Sequence, residues 1–149
     1  MIQKYFLNPT DMWSRKENSE LLYAPIVIVK TTENANIFLA GQISRLPSGK
    51  IVGKGDMRAQ ISQVCQNIQT GLKHVGASLS DVVRGTTYVT DRELYFECSD
   101  ERYKYFKDTR PASTLIPVDH LGADGCMIEI ECEAVIDSSH LIINKEYLI

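Results

Sequence analysis

Residues 128–134 read Ile-Glu-Ile-Glu-Cys-Glu-Ala, and so strict an alternation of apolar and acidic side chains fits one local structure. Successive side chains of a β-strand point to opposite faces, so this is a strand with a buried face and a row of carboxylates outside. Such a strand needs a second layer to bury its apolar face against, and residues 57–75 supply one. Their apolar side chains fall at 57, 61, 64, 65, 68, 72 and 75, the three- and four-residue steps of a single helical stripe. Asp56 is its expected N-cap and Gly76 its end. The fold class is therefore α/β (α+β), a sheet with helices laid on it.

Other segments extend that sheet. Ile26–Lys30 and Ile37–Ile43 are β-branched or apolar runs around a turn-rich TTENAN, which predicts a hairpin. Ile51-Val52 is a possible third strand, and residues 82–90 form another. Asp91 is placed to cap a second helix with Leu94, Tyr95, Cys98, Tyr103 and Phe106 inward; Arg110-Pro111 ends it. Residues 113–118 and 126–136 complete a mixed sheet, the strands either side of the second helix being joined by a right-handed crossover. Two helices cover only one face, so the other meets water or another subunit, and its apolar residues favour self-association. The 149 residues carry no linker, which predicts one domain over 1–149.

Charge and motifs narrow the function. Sixteen Lys+Arg against 19 Asp+Glu give a net −3, which argues against a nucleic-acid partner. No apolar run approaches a membrane span, and the N-terminus does not read as a secretory signal; a soluble, cytoplasmic protein is expected. The four cysteines form no C-x-x-C pair and the three histidines are scattered, so neither a metal nor a catalytic thiol is expected. The thiols read as reduced, packed side chains. Phosphate-loop, dinucleotide and serine-hydrolase motifs are missing, so no cofactor is expected.

The stretches GQIS (41–44), GASLSDVVRGTTYVTD (76–91), RPAST (110–114) and IEIECEAV (128–135), in this order and spacing, resemble the Rid family of YjgF type. The resemblance spans about residues 23–136, leaving an N-terminal extension 1–22 and a C-terminal tail 137–149 that read as ordered additions. It implies a chorismate-mutase-like two-layer fold, a homotrimer packed through its sheets, and small-molecule sites in the clefts between subunits. It also implies cofactor-free hydrolysis of reactive enamines and imines.

The same resemblance points to individual residues. Glu129 matches the glutamate that orients the attacking water, and Tyr23 matches a cleft-lining tyrosine just before the first strand. Without the family, Glu129 reads as a solvent-facing strand carboxylate and Tyr23 as an ordinary packed tyrosine at a strand edge. The chain departs from the family at Ser113, where archetypal members carry an arginine that grips the substrate carboxylate. Ser113 and Thr114 remain as neutral hydrogen-bond donors for substrate. Arg58, Arg92, Arg110 and His120 offer no clear replacement for that arginine. The expected substrate is accordingly a longer, 2-aminomuconate-type unsaturated amino acid rather than 2-aminoacrylate. A non-catalytic small-molecule-binding trimer is the alternative, and the ribonuclease role sometimes attached to the family is disfavoured by the net acidic charge.

Overall fold

The computed structural model describes residues 1–149. Six strands form one mixed sheet: β1 (Gln3–Leu7), β4 (Ile26–Lys30), β5 (Asn34–Ile43), β8 (Ile128–Asp137), β6 (Val82–Val89) and β7 (Ala112–Pro117), in that spatial order. Two short strands, β2 (Lys16–Glu17) and β3 (Glu20–Leu21), make a separate hairpin. All the pairings in the main sheet are antiparallel except β6–β7, which is parallel and flanks the second helical region as expected.

Helix α1 (Met57–Lys73) packs on β5 and β8. Asp56 accepts from the Ala59 amide, and Gly76 closes the helix at φ +79°, where a side chain would be strained. All seven stripe residues are at most 2% exposed, and they meet Ile128, Ile130, Cys132 and Ala134 of β8. Cys65 of α1 and Cys132 of β8 lie in this seam as free thiols, both pushed up to about 12 by burial. The alternation in β8 is complete, with every apolar residue from 128 to 134 buried and Glu131 and Glu133 exposed on the other face.

Three details differ from the sequence expectation. The second helix is broken at Cys98 into α2 (Arg92–Glu97) and α3 (Ser99–Phe106). The break re-phases the stripe, so Tyr103 is exposed while Tyr105 is half-buried and hydrogen-bonds Ser62 at 2.8 Å. Ile51 makes only an isolated bridge to Arg45, because Gly53 and Gly55, at φ +65° and +78°, turn the chain away towards α1. The N-terminal extension contributes a full edge strand, β1, which pairs with β4 along its whole length.

One buried polar residue interrupts the helical stripe. Gln60 is fully buried; its amide donates to the carbonyls of Gly53 at 3.1 Å and Gly125 at 2.7 Å, and its oxygen accepts from Met127 N–H at 2.8 Å. It ties α1 to the loop that delivers the chain into β8. No helix is long and apolar enough to cross a membrane.

Candidate active site

Strand β4 stops pairing at Ile26, opposite Leu39, with one further bond from the Ala40 amide to the Pro25 carbonyl at 3.0 Å, so residues 41–43 of β5 continue without a neighbour on that side. On their other side the β5–β8 register shifts between Leu39 and Gln42, a bulge that re-aims the strand. The N-terminal segment around residues 11–23 folds over this open edge. The resulting cleft has a volume of about 300 Å³ and is lined by Trp13, Tyr23, Gly41, Arg45, Asn67 and Glu129, among others. That is the lower end of the range for small-molecule sites.

Glu129 sits one residue into β8, between Ile43 of β5 and Tyr88 of β6. Burial pushes its carboxyl above the usual glutamate range, and the charge of Glu131 pushes it further. Glu131 itself accepts from Tyr88 Oη at 3.2 Å. The Glu129 side chain lies directly against Gly41: a Cβ there would overlap its carboxylate oxygen and come within 2.9 Å of Cδ. The glycine of the GQIS stretch thus makes room for the carboxylate. Gly41→Ala should therefore fold with little change in melting temperature but displace Glu129, which is free to swing outward. If Glu129 is the base, turnover falls by about 10- to 100-fold, a loss of roughly 1.4–2.8 kcal/mol in transition-state stabilisation. Unchanged turnover would mean that the carboxylate's position is unimportant.

Tyr23 lines the same cleft. Burial raises its phenol, the Arg15 backbone N–H opposes this, the Glu129 charge raises it further, and the cations Arg45 and Arg15 lower it. The net shift is upward, so the phenol stays protonated, and a donor, at neutral pH. The two residues assigned by resemblance to catalysis are therefore brought together in one cleft.

Ser113 and Thr114 are not in it. Both are exposed on edge strand β7, with β6 intervening before β8. The rows Thr114–Thr86–Glu131 and Ile116–Tyr88–Glu129 place them about 10 Å or more from Glu129 across two strand spacings. Nor do the four cationic or imidazole side chains considered from sequence line the cleft. Arg58 bonds Asp100 at 2.7 Å and Arg92 bonds Glu93, while Arg110 and His120 are exposed.

The cations that do line it are Arg15 and Arg45, neither of which stands out in the sequence. Arg15 faces Glu17 at 3.5 Å. Arg45 follows GQIS directly, and its guanidinium lies 3.8 Å above the ring of Trp13. Asn67 of α1 pins the backbone beneath it, donating to the carbonyls of Ile43 at 3.0 Å and Arg45 at 2.9 Å.

Comparison with known proteins gives consistent matches. The family model described as Endoribonuclease L-PSP matches residues 22–136. A RutC family protein of Pyrococcus abyssi is 36% identical over 99 residues, 66% of this chain and 76% of the relative. Human 2-iminobutanoate/2-iminopropanoate deaminase is 32% identical over 113 residues, 76% of this chain and 79% of the relative. A crystal structure of a conserved Rid-family protein of unknown function from Yersinia pestis superposes with a TM-score of 0.75 at 25% identity, covering 90% of this chain and all of that one.

Proposed function

Since this chain belongs to the Rid family, we propose that it is a cofactor-free hydrolytic deaminase of enamines and imines, acting in the cleft that holds Glu129 and Tyr23. The observation that carries this reading is the pairing of a raised carboxyl with a protonated phenol in one small cleft. The named activity of the human relative points the same way.

The chemistry asks little more of the protein. An enamine tautomerises to the imine, and water adds to the C=N carbon to give a carbinolamine. That adduct loses ammonia and leaves a carbonyl. Glu129, as carboxylate, takes a proton from the attacking water and passes it to the imine nitrogen. It then carries the carbinolamine hydroxyl proton to that nitrogen as the C–N bond breaks, so both water protons leave in ammonia. Tyr23 donates a hydrogen bond to a polar substrate group and holds the reacting carbon within reach. In this reading the substrate is a longer unsaturated amino acid of 2-aminomuconate type, because Ser113 gives a three-carbon substrate no charged anchor. Removing one such charge-assisted anchor costs about 1.5–3 kcal/mol.

The reading includes a homotrimer. The helix-free face of the sheet exposes Phe38, Val135 and Ile116, 37–39% accessible in the single chain, and packing copies through that face removes them from water. Such packing also gives Ser113 and Thr114 of one copy a route to the cleft of another.

The test is ammonia release from freshly generated enamines of increasing length, with RNA as a parallel substrate. Activity on the six-carbon acidic enamine, weak activity on 2-aminoacrylate and a species at three times the 16.8 kDa chain mass are expected. Efficient aminoacrylate turnover overturns the substrate choice; no ammonia from any member, with saturable binding kept, favours a binding trimer. Salt-sensitive RNA cleavage overturns the deaminase reading.

A further inference from the structure

We infer that Arg45, stacked on Trp13, is the carboxylate-binding group of this cleft, and that the N-terminal segment is thereby part of the substrate site. The inference rests on the deaminase reading for the imine half of the ligand, and on the cleft alone for the carboxylate.

Arg45 is the cleft cation without a counter-charge. Arg15 has Glu17 beside it, and the Asp11 carboxylate at the cleft wall is bonded to His74 at 2.6 Å. No carboxylate lies within 4.0 Å of Arg45, although Glu129 lines the same cleft. Its Nε is buried with no hydrogen-bond partner. Shielded on one face by indole and closed off at Nε, the guanidinium presents its two Nη groups, which make no hydrogen bond, to a planar, bidentate acceptor. Stacking at 3.8 Å also removes most of the side chain's freedom before the ligand arrives, which lowers the ordering cost of binding. Asn67 fixes the backbone from the other side.

The identity of the stacking partner matters. Trp13 lies before the 22–136 stretch matched by the family model, so this cation is held by a part of the chain outside it. The position where archetypal members carry an arginine holds Ser113, on a different strand. A cleft that lacks the one charge and carries the other, unpaired, still selects an anion, from a different side of the pocket. The ligand class that follows is an imine or enamine carrying a carboxylate held away from the reacting carbon.

Trp13 is the only tryptophan in the chain, so its fluorescence reports the site directly. The probe is adipate, a six-carbon dicarboxylate with no imine, titrated against its neutral diamide. Saturable adipate binding, absent with adipamide, is expected by fluorescence and by calorimetry. Arg45→Met should weaken it at least 10-fold, and Arg45→Lys and Trp13→Leu, the latter read by calorimetry because it removes both the stacking face and the fluorophore, should each fall between. Circular dichroism establishes that each variant folds. For a carboxylate-bearing imine, Arg45→Met should raise KM at least 10-fold with a much smaller fall in kcat. Adipate binding that is absent in the wild type, unchanged in Arg45→Met, or matched by adipamide overturns the inference. If binding depends on Arg45 but no imine is hydrolysed, the anion site stands and the deaminase reading falls; if hydrolysis proceeds with Arg45→Met unaltered, the reverse holds.

Discussion

Glu129→Gln is expected to lower imine-hydrolysis kcat/KM by about 100- to 10,000-fold, the span of a positioned general base. The replacement keeps the size and the polar end of the side chain and removes only its ability to take a proton. Burial and the Glu131 charge both raise this carboxyl, so the wild-type rate should fall on the acid side at a pH above the ordinary glutamate value. That acid limb should vanish in Glu129→Gln and move to lower pH in Glu131→Gln, which takes away one cause of the shift. Stability should respond in the opposite sense from activity. A carboxyl whose pKa is raised by folding binds its proton more tightly in the folded state. Its contribution to stability is fully present below the unfolded value and is lost as pH rises through the folded one. At neutral pH the glutamine variant should therefore be at least as resistant to denaturant as the wild type. Retention of wild-type kcat/KM would remove Glu129 from the reaction.

The second large effect is on the fold. Gln60→Leu should cost about 2–4 kcal/mol, because the Gly125 carbonyl and the Met127 amide lose their side-chain partner at about 1–3 kcal/mol each, while the Gly53 carbonyl keeps the Asp56 amide. For a chain of this length that corresponds to a fall in Tm of about 10 °C. The groups left unpaired belong to Gly125 and Met127, so the damage concentrates where α1 meets the approach to β8. Glu129 lies two residues beyond Met127, and activity should be lost at temperatures where the bulk of the sheet still holds. A loss of less than 1 kcal/mol in denaturant titration would show that the leucine repacks and the backbone finds other partners.

Local periodicity explains what is legible in the sequence. The stripe from Met57 to Val75 and the alternation from Ile128 to Ala134 each repeat with their element's own period, and both are buried as that period requires. The caps at Asp56 and Asp91 are equally local, each accepting from the amide three residues on. Glu129 and Tyr23 come into view through family resemblance, not through period; 106 residues separate them, and only the strand pairings bring them to one cleft. Gln60 and Arg45 are hidden for a physical reason. A polar residue in an apolar stripe is indistinguishable in sequence from a boundary position, and its value lies in distant carbonyls. Stacking of Arg45 on Trp13 joins residues 32 apart with no repeat to announce it. Strand β1 is hidden differently. It is a five-residue edge strand with one fully buried side chain, Leu7, too few to set up an alternation.

The two thiols in the seam between α1 and β8 give the molecule a built-in clock. A thiol reacts as thiolate, and with both raised to about 12, only about one in 100,000 is ionised at neutral pH. Neither Cys65 nor Cys132 is open to a reagent while helix and sheet stay together. Alkylation of either therefore counts the moments when the layers part, and its rate measures the free energy of that opening in the native protein. Cys98, only half-buried at the break between α2 and α3, reports its own local loosening on a separate scale. Mass spectrometry of a slow alkylation can thus tell breathing at a helix joint from separation of the two layers, with no label introduced and no denaturant added.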